Sequence, residues 1–103
     1  MRIAKVLGTV TLSSCHPSFV GARLKLIAPQ TLEELQQDLT PQSDMLVAWD
    51  DLGVNIGCQV AIAEGGEAAQ PFRPEIKPVD CYSAALLDQI NIDPKATSLQ
   101  ERK

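Results

Sequence analysis

The chain has 103 residues, 45% of them hydrophobic and 21% charged, with Lys and Arg numbering 9 against 13 Asp and Glu for a formal net charge of −4. A chain of this length is one domain with a single modest core, so any site is expected at a surface or between subunits rather than in an enclosed cleft. A pI near 4.8 and scattered basic residues count against nucleic-acid or anionic-membrane surfaces, which draw affinity from clustered Lys and Arg, and Phe19, Trp49, Phe72 and Tyr82 are too few aromatics for a base-stacking platform.

In chain order, residues 3–12 (IAKVLGTVTL) alternate Ile3, Lys5, Leu7 and Thr9 against Ala4, Val6, Gly8 and Val10, which predicts a strand with a bulge or bend at Gly8. After the loop SSCHPSFVG, residues 22–28 repeat the alternation with Ala22, Leu24, Leu26 and Ala28 on one apolar face, and the two segments read as a hairpin pair. The period then changes. Thr31 and Glu34 have capping-box spacing, and Leu32, Leu35 and Leu39 recur at helical intervals, so a short surface helix is expected before Pro41. MLVAW (45–49) is a strand, and DDLGVNIG is a turn whose Gly53, Asn55 and Gly57 tolerate positive φ. CQVAIA (58–63) is the returning strand.

EGGEAAQ (64–70) reads as a short helical turn, with the prolines at 71, 74 and 78 holding the following stretch extended. Residues 79–92 are ambiguous. Helical spacing collects Val79, Tyr82, Ala85, Leu86 and Ile90, strand alternation collects Tyr82, Ala84, Leu86 and Ile90, and Ala and Leu propensity leans towards helix. Short strands punctuated by Gly and Pro, with one isolated helix, predict a small all-β barrel or sandwich over residues 1–92, followed by a polar, loosely ordered tail at 93–103.

Chemistry-bearing residues compose no catalytic set. His16 lies between Cys15 and Pro17, but adjacent side chains diverge in a loop and a zinc site needs three or four ligands, so His16 reads as a polar loop position. The spacing of Cys15, Cys58 and Cys81 fits neither a disulfide framework nor a metal knuckle, which reads as reduced cytosolic thiols. Glu33 with Glu34 and Asp50 with Asp51 read as solvated neighbours rather than a facing acid–base pair. LGVNIG is not a phosphate-cradling GxGxxG, and glutamates flanking EGGEAAQ would repel a phosphate. No export signal and no apolar run of about 18 residues is readable. Catalytic residues, cofactor and metal are therefore all expected to be none, and a binding or structural protein is the better reading.

The ordered segments M-x-I-A-K-V-x-G-T-V, H-P-S-F-V-G with A-R-L-K-L-I, V-A-W-D-D-L-G-V-N-I-G, E-G-G-E-A-A, and P-V-D with A-A-L-L-D-Q-I together resemble the EutN/CcmL family of bacterial microcompartment vertex proteins. Lys5 and Gly8 lie in the opening pattern, Gly21, Arg23 and Leu24 match the start of the second strand, and Leu52, Gly53 and Gly57 match the family's V-G-A-G-x-G turn. Pro78, Val79 and Asp80 match P-[IV]-D, and Leu86, Leu87 and Asp88 match I-I-D, segments that are strands in the family. The resemblance thus overrules the helical lean for 79–90.

Asn55 stands where the family's turn usually has glycine, and asparagine is the non-glycine residue that best tolerates left-handed backbone, so the turn is expected to survive the change. Ala69 replaces the arginine of G-S-S-A-R, which puts any ion pair between subunits made by that arginine in doubt. The resemblance implies a five-stranded barrel like that of oligonucleotide-binding folds, with one or two short helices. It also implies a cytoplasmic homopentamer at the shell vertices, bordered by hexameric and pseudohexameric tiles, with neither nucleic acid nor membrane as partner. In the family the turn approaches the fivefold axis, so Gly53, Val54, Asn55, Ile56 and Gly57 are the candidate pore loop. The competing readings are an oligonucleotide-binding-type module for nucleic acid or a small ligand, and a small enzyme using Cys15 or His16.

Overall fold

The structure is a computed structural model and describes residues 1–93. Five strands, β1 (Arg2–Val10), β2 (Leu24–Pro29), β3 (Leu46–Trp49), β4 (Gln59–Glu64) and β5 (Cys81–Leu86), form a closed barrel in the order β1-β2-β3-β5-β4. Closure removes the open sheet edges that a short β-chain would otherwise expose. The pairings are antiparallel except β3 with β5, which run parallel and meet at one register pair, Trp49 with Tyr82. The fold is the small five-stranded barrel that the strand pattern and the resemblance predict.

β1 and β2 form the expected hairpin pair, and the bulge falls beside Gly8: register passes from Val6 opposite Ile27 to Gly8 opposite Leu26, leaving Leu7 as the extra residue. The barrel core is built of Ala4, Val6, Ile27, Ala48, Val60, Ile62 and Cys81 from the strands, with Val54 added from a loop. The predicted apolar face of β2 is corrected here. Ile27, not Leu26, enters the core, while Leu24 lines a cleft of about 180 Å³ with Phe19, Val47 and Trp49. Both faces of β2 are covered, so its alternation does not separate inside from outside.

Helix α1 (Leu32–Gln37) opens with the predicted capping box: Thr31 Oγ1 accepts the Glu34 N–H at 3.2 Å and Glu34 Oε1 accepts the Thr31 N–H at 2.9 Å. It ends at Asp38, which takes left-handed backbone at φ 51°, ahead of Pro41 as expected. Glu34 is not solvated. It is 6% exposed, and its second oxygen accepts the Gln42 N–H at 2.7 Å, so the carboxylate ties the helix start to the loop that leads into β3.

Two short 3₁₀ helices complete the described residues, Pro17–Phe19 and Gly65–Phe72. The second runs through Pro71, and Glu75 N–H donates to the Phe72 carbonyl at 2.9 Å, so the region from 71 to 75 turns instead of staying extended as predicted. A 3₁₀ helix accommodates the proline because its ring sets φ near the helical value. β5 confirms strand in place of the helical lean but stops at Leu86, short of residue 90. The polar tail predicted at 93–103 lies, past Asp93, outside the described residues. No helix among the described residues is long and apolar enough to cross a membrane.

Candidate functional site

The loop at 50–58 joins β3 to β4, and its sequence, D-D-L-G-V-N-I-G-C, holds its own backbone in place. The Asp50 N–H donates to the Arg23 carbonyl at 2.8 Å, which pins the loop to the start of β2. The Asp50 side chain is fully buried. Its Oδ1 accepts the Leu52 N–H at 3.0 Å and its Oδ2 accepts the Val54 N–H at 2.9 Å, so the carboxylate pairs two amides that the turn takes out of any ladder. The expectation that Asp50 is solvated is therefore corrected. The charge is buried because it is hydrogen-bonded to backbone donors.

Val54, 1% exposed, plugs into the barrel core and fixes the middle of the loop. Gly53 and Gly57 take left-handed backbone at φ 75° and 93°, as their residue type suggests. Asn55 does not. Its φ is negative, and its carbonyl accepts the Cys58 N–H at 3.1 Å in a tight turn that Gly57 completes. At the far end the Gly57 N–H donates to the Val6 carbonyl at 2.8 Å and the Val6 N–H donates to the Cys58 carbonyl at 2.9 Å. The loop is thus fastened to β1 and β2, and between its anchors it presents Leu52, Asn55 and Ile56 to the outside. All five candidate residues, Gly53 to Gly57, lie in this one fastened segment.

The foot of the loop rests on an aromatic layer that the sequence did not disclose. Phe19 and Trp49 centroids are 5.9 Å apart, Trp49 and Phe72 4.7 Å edge to face, and Phe72 and Tyr82 5.5 Å edge to face. Asp51 joins this layer to the loop: its Oδ1 accepts from Trp49 Nε1 at 2.9 Å and its Oδ2 from the Tyr82 hydroxyl at 3.2 Å. Burial, reinforced by Asp51, pushes the Tyr82 phenol up from its ordinary value. Lys77 covers the layer, with Nζ 5.5 Å from the Trp49 ring centre and donating to the Ser18 carbonyl at 2.7 Å. The spacing of 19, 49, 72 and 82 carries no periodic signal, because the parallel contact of β3 with β5 sets Trp49 opposite Tyr82 while Phe19 and Phe72 come from the two 3₁₀ helices.

The remaining candidates are dispersed. His16 caps the 3₁₀ helix at Pro17, its Nδ1 accepting the Ser18 N–H at 3.1 Å, which is a loop-holding role. Cys15 is exposed and Cys58 half-buried, while Cys81 sits in the core with its thiol pushed up to about 11 by burial. Among the described residues no three His, Cys, Asp or Glu side chains gather to hold a metal ion. Glu64, in the segment where Ala69 replaces the family's arginine, is held by Arg2 of its own chain through two bonds of 2.6 and 2.7 Å. Arg2 holds the Glu64 carboxyl below its usual range.

Comparison with known proteins places this geometry. The family model described as "Ethanolamine utilisation protein EutN/carboxysome" matches residues 1–88. The carboxysome shell vertex protein CcmL of Gloeobacter violaceus is 34% identical over 93 residues, covering 90% of this chain and 88% of that one. Its solved structure superposes with a TM-score of 0.79 at 29% identity, over 90% of this chain and 91% of that one. The GrpN pentameric microcompartment shell protein from Rhodospirillum rubrum superposes with a TM-score of 0.73 at 25% identity, over 90% of this chain and 99% of that one.

Proposed function

The chain belongs to the EutN/CcmL family, and from that premise we propose that five copies close into a ring which caps the vertices of a bacterial microcompartment shell in the cytoplasm. The observation that carries the proposal is the superposition on a pentameric shell protein along nearly the whole of both chains. The geometry supplies the reason. Hexagonal tiles alone make a flat sheet, and closing it into a polyhedron requires fivefold defects. A heterologous contact repeated around a ring must therefore close after five copies.

In that ring the Gly53–Gly57 loop lines a narrow opening on the fivefold axis. Two features support this assignment: the match of Leu52, Gly53 and Gly57 to the family's turn, and the fastening of the loop at both ends to β1 and β2. The outward faces of β3 and β5 leave Val47 and Leu86 exposed, with Met45 and Ile76 nearby in the chain, and such apolar surface suits contact with neighbouring subunits. The chain acts by position and not by catalysis: the buried carboxylates of Glu34 and Asp50 are taken up by backbone amides, and burial pushes the Cys81 thiol up to about 11. Hexameric and pseudohexameric tiles border the ring, and the net charge of −4 counts against nucleic acid as a partner. Native mass spectrometry tests the ring: a species of about five times 11.1 kDa is expected, and a stable monomer or dimer across concentrations would contradict it.

A further inference from the structure

Arg23 stands immediately before β2, and its carbonyl accepts the Asp50 N–H at 2.8 Å, so the residue is fixed at the root of the 50–58 loop. Its side chain reaches over that loop: a β-carbon placed on Gly53 would lie 3.6 Å from Arg23 Nη1. The absence of a side chain at Gly53 lets the guanidinium approach bare backbone. Arg23 is exposed, and among the described residues no carboxylate pairs with it.

The acids beside it are engaged elsewhere. Asp50 is buried on the amides of Leu52 and Val54, and both oxygens of Asp51 are held by the aromatic layer through Trp49 and Tyr82. The residues from Gly53 to Gly57 carry no charge of their own. Near the mouth of the loop the unpaired ionic group is therefore a guanidinium with its fork of donors free, in a chain whose net charge is −4.

We propose that the five Arg23 side chains make the ring opening an anion-binding mouth, drawing small anions to the loop and disfavouring cations. The proposal rests on the reading that the Gly53–Gly57 loop surrounds the fivefold axis. Five like charges brought to one axis repel each other, and a bound anion offsets that repulsion while accepting charge-assisted bonds from several guanidinium forks. A cation gains nothing there. The charge of the whole subunit is negative, so this is a local reversal of field, of the kind that concentrates counter-ions at an opening.

Crystals of the assembled wild-type protein and of Arg23→Gln, both grown in sodium bromide, test this by anomalous diffraction. The expected result is a bromide peak against Arg23 on the ring axis in the wild type, and loss of that peak in Arg23→Gln with other surface peaks retained. If the loop surrounds the axis but the peak is missing, or persists in Arg23→Gln, the anion mouth is overturned while the placement of the loop stands. A loop found away from the axis overturns the placement itself. Arg23→Lys covers the case in which Arg23→Gln does not assemble: pentamers retaining an axial bromide support the proposal, and pentamers without one assign Arg23 to a subunit contact and overturn it.

Discussion

The carboxylate of Asp50 accepts the N–H of Val54 at 2.9 Å with both side chains withdrawn from solvent, 0% and 1% exposed. One residue thus supplies the backbone partner and the other the apolar anchor for the same five-residue turn, 50–54. Asp50→Ala leaves two amides without their acceptor and is expected to destabilise the fold by about 2–3 kcal/mol, with Asp50→Asn costing less because one carbonyl acceptor remains. Urea unfolding at fixed protomer concentration measures the cost, and hydrogen exchange at Leu52 and Val54 measures the loop directly. Unchanged exchange at those two amides in Asp50→Ala would contradict the anchoring.

Gly53 and Gly57 hold left-handed backbone, whereas Gly66 does not and has open space at its β-position. Alanine at 53 or 57 is expected to cost about 1–2 kcal/mol each through backbone strain. Gly66→Ala is expected to be tolerated. Thermal unfolding of the three variants side by side distinguishes strain at the loop from a general intolerance of alanine.

Lys77 closes the aromatic layer from above, 5.5 Å from the Trp49 ring centre and 5.9 Å from that of Phe72. Lys77→Met keeps most of the apolar stem and removes the cation and its bond to Ser18, with an expected loss of about 1–2 kcal/mol. Trp49 is the single tryptophan, so its emission reports the same change locally. An unaltered spectrum and melting temperature would show that the layer stands without Lys77.

The N–H groups of Thr31 and Gln42 hold the Glu34 carboxyl below the ordinary 4.5. A depressed carboxyl contributes stability that is present in full above its unfolded-state value and is lost as pH falls through the folded-state value. Glu64, depressed by Arg2, adds a contribution of the same sign. The urea midpoint is therefore expected to fall between about pH 6 and pH 3, and Glu34→Gln to flatten that fall while lowering stability near neutrality. A pH profile identical in wild type and variant would remove Glu34 from the acid response.

What the sequence discloses here divides along the range of the interaction. The Thr31–Glu34 cap, the bulge beside Gly8 and the positive φ of Gly53 and Gly57 are local, set by residues within a few positions, and each is legible in the chain. Asp50 and Glu34 look like surface acids because the amides they satisfy, at Val54 and Gln42, become their partners only once the backbone turns back on itself. Asn55 has the residue type for left-handed backbone and does not use it, since Gly57 takes that conformation two positions later. Ile27 and the aromatic layer are hidden for a further reason. β2 is buried on both faces, and Trp49 meets Tyr82 through a parallel pairing that no periodicity encodes. The position of Arg23 over Gly53 belongs to the same class of long-range contact.

The vertex role is tested most directly by electron microscopy of shells assembled from hexameric facet proteins with and without this chain. The account predicts closed polyhedra with density filling the fivefold corners when the chain is present, and sheets, tubes or shells with open corners when it is left out. Corners that close equally well in its absence, or density for this chain on the facets instead of at the corners, would contradict it.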